Sequence, residues 1–143
     1  MKARHYRTLG LTGLVLVIAG AAPAVAHHSF AMFDRDRQVT LAGTVHDFQW
    51  TNPHAWIEID VANAQGAIDK WGFELNSPNN LARQGWRSNL LHPGDKITVM
   101  FNPLRSGEKG GLFLQAVLAD GKVVGDRFLT RANAVTGAPP PKP

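Results

Sequence analysis

Five histidines, His27, His28, His46, His54 and His92, are the residues of this chain whose type and placement bear most directly on chemistry. Imidazole is the commonest metal-ligating side chain and changes charge near neutrality. His27-His28-Ser29 follows Ala24-Val25-Ala26, so a cut after Ala26 would make His27 the first residue of the mature chain. Its imidazole and its deprotonated α-amine would then form a chelating pair. A further imidazole would complete a T-shaped nitrogen site, an arrangement that suits copper(II) and its preference for tetragonal nitrogen and oxygen ligands. His54, behind Asn52-Pro53, and His46, shortly before that turn, are the partners expected for His27 and His28. A tight connection over residues 50–53 would bring His46 and His54 to the same end of the first hairpin. Met32 offers a soft thioether, and Trp50 or Trp56 a cation–π wall.

Other chemistries find little support. The chain has no cysteine, hence no thiolate and no disulfide framework. None of Ser29, Ser77, Ser88 and Ser106 sits in a G-x-S-x-G elbow, and there is no phosphate loop, G-x-G-x-x-G or H-E-x-x-H. Asp34, Asp36, Glu58 and Asp60 are spread as on solvated faces, and His92 precedes the loop residues Pro93-Gly94-Asp95. No acid–base pair stands out by spacing, so the expectation is a binding protein and not an enzyme.

The leader that would expose His27 is itself readable. Lys2, Arg4 and Arg7 precede an apolar run from Leu9 to Ala22, and the run closes on the A-x-A pattern of residues 24–26. That order of basic, apolar and small-residue regions predicts a secretory signal peptide over residues 1–26, and therefore a periplasmic or secreted protein with no membrane span after cleavage. No cysteine follows the run, which excludes a lipoprotein anchor. The leader holds three of the fifteen Lys and Arg residues, leaving twelve against eleven acidic residues. The high isoelectric point is thus mostly a targeting feature, and nucleic acid is not an expected partner.

The elements that must position the histidines follow residues 27–38. "VTLAGTVHDFQW", "HAWIEIDVAN" and "DKWGFEL" alternate with period two, broken by Asn52-Pro53 and Gln65-Gly66. Trp71, Phe73 and Leu75 share a face. "SPNNLARQGW" carries Ser77 as an N-cap, Pro78 in the first helical position and Gly85 as a stop, which predicts one short helix. "KITVMF" and "GLFLQAVLA" are two further strands around a polar, glycine-rich loop expected to be mobile, with Arg105, Glu108 and Lys109 at its tip. "GKVVGDRFLT" adds an edge strand. The expected fold is all-β with one short helix, a small five- to six-stranded OB-like barrel over residues 39–130. Residues 131–143 form a Pro-rich tail expected to be disordered.

"AHHSFAMFD", "GTVHDFQWTNPHAWIEIDV", "LARQGW" and "LHPGDKITV" together resemble an uncharacterised family of exported bacterial proteins, a domain of unknown function. Its members share His-His-Ser at the mature start, Asn-Pro-His after the first strand and Gly-Asp before the fourth. The resemblance spans nearly the whole mature chain and implies export and a small β-domain, without an activity to carry over. A looser similarity is to small periplasmic copper-binding OB domains built on His, Met and Trp. This chain departs from them in having only Met32 and Met100 after the leader, with no close methionine pair.

The functional expectation is therefore a periplasmic metal-binding protein, for copper, with His27, His28, His54 and His46 as ligands. The alternative is a non-enzymatic binding module for a small organic ligand or another envelope protein, resting on Phe48, Trp50, Trp56 and Trp86.

Overall fold

The computed structural model describes residues 30–135. After a single 3-10 turn at Phe30–Met32 come β1 (Val39–Gln49), β2 (Trp56–Ala62), β3 (Ile68–Glu74), α1 (Pro78–Arg83), β4 (Lys96–Pro103), β5 (Gly110–Leu118), β6 (Val123–Gly125) and α2 (Arg127–Val135). The strands lie in the order β3-β2-β1-β4-β5-β6, and a parallel pairing of β3 with β5 closes the first five into a barrel. That closure, with a helix between the third and fourth strands, is the OB topology expected from the sequence. β6 is the added edge strand.

The long β1 makes the barrel possible, because its two halves serve different neighbours. Val39–Thr44 pair with β4, and Thr44–Gln49 pair with β2. At the changeover sits Gly43, where a Cβ would lie 2.8 Å from Ile59 Cδ1 and 2.9 Å from the Asp60 carbonyl. Only a residue without a side chain lets β1 press that closely on β2. The turn before β4 completes the changeover: Val45 donates to the Asp95 carbonyl over 2.8 Å and accepts from Gly94 over 2.9 Å.

Alternation then fills the interior. Val45, Ile57, Ile59, Phe73, Leu75, Val99, Phe101, Phe113 and Ala116 are buried in one cluster, with Phe73 and Phe101 rings 4.8 Å apart. Trp71 is half-buried at the edge of that cluster, edge-on to Phe101. Leu81 of α1, Trp86 and Leu91 join the core, and Trp86 packs edge-on to Phe113 at 5.5 Å. Each such buried side chain contributes on the order of 1.5–3 kcal/mol.

Among the described residues there are two short α-helices, and the second, α2, runs through Val135, past the expected start of the Pro-rich tail. Asp126 starts it as an N-cap, accepting at Oδ1 from Phe128 over 2.9 Å, while Thr130 donates back to the Asp126 carbonyl. The rest of the tail, like the leader, His27 and His28, lies outside the described residues. Nor is the β4–β5 loop an unattached tip. Lys109 bonds Asp69 over 2.6 Å, and Arg105 donates its amide to the Met32 carbonyl over 2.9 Å, so the loop is tied to β3 on one side and to the N-terminal segment on the other.

Candidate functional site

With Ile57, Ile59 and Phe73 turned inward, the alternation turns Trp56, Glu58 and Asp60 of β2 and Lys70 and Gly72 of β3 to the outside, while Glu74, next on that side, is covered. The β2–β3 ladder pairs Asp60 with Lys70, Glu58 with Gly72 and Trp56 with Glu74. β1 adds to the same face through a bulge: Val45 pairs with Ile59 and Asp47 with Glu58, so His46 is the extra residue. A bulge breaks the alternation and re-aims a side chain. Here it turns the consecutive His46 and Asp47 to the outer face.

His46 enters a three-member network. Its Nδ1 is 3.2 Å from Asp60 Oδ2, its Nε2 is 2.8 Å from Lys70 Nζ, and Lys70 Nζ is 3.6 Å from Asp60 Oδ1. An ammonium only donates, so Nε2 must accept, Nδ1–H must donate to Asp60, and the ring is neutral in this arrangement. Both nitrogens are therefore engaged. The network is largely exposed, so it contributes little to stability.

His54 stands in the β1–β2 loop, after the cis peptide Asn52–Pro53 and before Ala55. Backbone bonds of Ala55 to Asn76 (3.1 Å) and of Leu75 to Ala55 (2.9 Å) fix this stretch against the end of β3. The His54 Nδ1 is hydrogen-bonded to Glu74 Oε1. Glu74 is one of three buried polar side chains among the described residues, with a relative exposure of 6%. An ionised carboxylate only accepts, so Nδ1 carries the proton, and in the neutral ring Nε2 is the basic nitrogen. A carboxylate fixing the tautomer and direction of an imidazole in this way is the arrangement found behind metal-bound histidines.

The two histidine–carboxylate pairs are not one site. Asp60 and Glu74 flank the same outer face but stand four rungs apart, about 13 Å by the rise of a strand. His46 stands between the Glu58 and Ile59 rungs while His54 precedes the start of β2, so the first hairpin holds the two histidines at separate places along it. No group of three or more His, Cys, Asp or Glu poised to hold a metal occurs among the described residues. His92 is on the turn before β4, with its side chain 67% exposed beside Asp95.

Glu58 and Asp60 read from the sequence as solvated, and Asp47 and Glu74 were not singled out there. A signal for them was present: the Gln65-Gly66 turn implies the β2–β3 register, and that register brings Asp60 opposite Lys70 and Glu74 within reach of the loop holding His54. Of the tryptophans on which the alternative reading rests, Trp86 is core, with its indole N–H 3.3 Å from the Gly125 carbonyl. Trp50 is half-buried against Phe48, and Trp56 is 38% exposed on the outer face.

A family profile matches residues 15–115, a span that holds the His-His-Ser and Asn-Pro-His motifs and all of the outer-face residues just described. The chain belongs to the family of unknown function DUF6152. No curated protein matches it. Among solved structures, it is similar to the mitochondrial single-stranded DNA-binding protein Rim1 of S. cerevisiae, at 8% identity over 58% of this chain and 93% of that one, with a TM-score of 0.44. That likeness carries no argument about what this chain binds.

Proposed function

We propose that this DUF6152 chain is an exported, periplasmic copper-binding barrel in which His54 is the ligand supplied by the barrel. The observation that carries the reading is the buried Glu74 carboxylate behind His54 Nδ1, which presents Nε2 as the coordinating nitrogen. His27 and His28, at the start of the mature chain, supply the remaining nitrogens, with the α-amine of His27 among them. His46 drops out of the ligand set, because Asp60 and Lys70 engage both of its ring nitrogens. The protein is a binder, not an enzyme. The carboxylates of the outer face also disfavour nucleic acid, which needs a basic groove lined by stacking aromatics.

The test is native mass spectrometry of the protein purified from the periplasm, with and without copper(II). The expected result is a chain beginning at His27 that retains one copper. His54→Ala and His27→Ala should each lose it, Glu74→Gln should weaken it roughly 10–100-fold, and His46→Ala should leave it unchanged. A chain cut elsewhere, or copper retained by His54→Ala with an unaltered circular dichroism spectrum, would overturn the reading.

A further inference from the structure

Between the two histidine pairs lies a row of the outer face that neither of them uses. Asp47 of β1 stands directly opposite Glu58 of β2, and Glu58 stands opposite Gly72 of β3. Both carboxylates are half-buried, and among the described residues neither has an ion pair or a side-chain hydrogen bond. Like charges directly across a ladder are destabilising, and partial burial raises the cost by removing water. The neighbouring rows do the opposite, pairing Asp60 with Lys70 and His46, and Glu74 with His54. The chain therefore gives Asp60 and Glu74 side-chain partners, and among the described residues it leaves this pair without one.

The surroundings define what would complete the row. A Cβ built on Gly72 meets nothing within 4 Å, so the floor beside Glu58 is open. Trp56, two residues from Glu58 on the same strand and face, is 38% exposed and forms one wall. Two carboxylates, an open floor and an indole face match a guanidinium, which is planar, forks onto carboxylates and stacks on aromatic rings. An ammonium would satisfy the charge but not the fork or the stack.

We infer that the outer face of β1–β3 docks an arginine-bearing extended segment of a partner protein, with one guanidinium seated between Asp47 and Glu58 against Trp56. Charge complementarity carries this choice of occupant. The inference goes beyond copper binding and does not depend on it, since it uses neither His54 nor the residues before Phe30.

The experiment measures binding of hexa-arginine and hexa-lysine peptides to the full mature chain by calorimetry and by tryptophan fluorescence. Hexa-arginine is expected to bind and to perturb the fluorescence. Asp47→Asn with Glu58→Gln should weaken it at least tenfold, Trp56→Leu should remove most of the fluorescence change, and Glu108→Gln in the β4–β5 loop should do neither. Without peptide, the double variant should unfold at higher urea than wild type, because two uncompensated charges are gone. Equal affinity for the two peptides, or full binding by the double variant, would overturn the inference. Copper uptake is read separately, so failure of either proposal leaves the other standing.

Discussion

At Asp69 a single hydrogen bond sets an ionisation. The bond donated by Lys109 holds this carboxyl below the ordinary aspartate range, helped by the positive charge of Lys109 and by Asn63, against a smaller opposing effect of desolvation. Lys109→Met should move the Asp69 ionisation up towards the ordinary aspartate range in an NMR titration of its side-chain carboxyl carbon. A folded-state value below the unfolded one stabilises the fold above the unfolded pKa, and that contribution is lost as the pH falls through the folded value. The tie between the β4–β5 loop and β3 should therefore hold through neutral and mildly acid solution and weaken only below about pH 4. At the same scale, His46 and His54 show how a histidine's meaning rests on its partner. One has an ammonium on Nε2, and the other is backed by a buried carboxylate. Their positions in the sequence did not distinguish them.

Among the elements, β1 carries most of the architecture, and Gly43 is its weak point. Gly43→Ala should cost about 1–3 kcal/mol in urea unfolding, because the Asp60 carbonyl is backbone and can yield less than the tip of Ile59. The strands were legible because one face of each is buried, which writes period two into the chain. α1 was legible because Ser77 and Pro78 mark its start. α2 was not, because its first turn lies in "GKVVGDRFLT", which reads as one edge strand, and the N-cap Asp126 sits inside that stretch. The bulge at His46 was not legible either, since a bulge adds a residue without changing composition, and it decides which way His46 and Asp47 turn. The site residues were legible as types, and Glu74, Asp60 and Lys70 became their partners only once register was known.

For the whole molecule, the fold separates stability from display. The core cluster lies inside the barrel, and the outer face of β1–β3 holds the ionisable groups that the proposals use. Substitutions at Asp47, Trp56 and Glu58 on that face can therefore be read for binding without dismantling the core, whereas Glu74 is buried. The barrel itself closes through only three parallel pairs, Gly72 with Gly110, Phe73 with Gly111 and Glu74 with Leu112, and a side chain at Gly110 would collide with the Gly72 carbonyl. These partners are far apart along the chain, whereas the hairpins on either side are local. Like the still longer-range β1–β4 pairing, such a contact is expected to form after the local pairings have met their smaller loop-closure cost. The seam thus acts as a clasp that governs how long the folded state lasts more than how fast it is reached. Gly110→Ala should speed unfolding in a denaturant-jump experiment and leave the refolding limb nearly unchanged, and because Glu74 belongs to the seam, the lifetime of the closed barrel also bounds how long His54 keeps its buried partner.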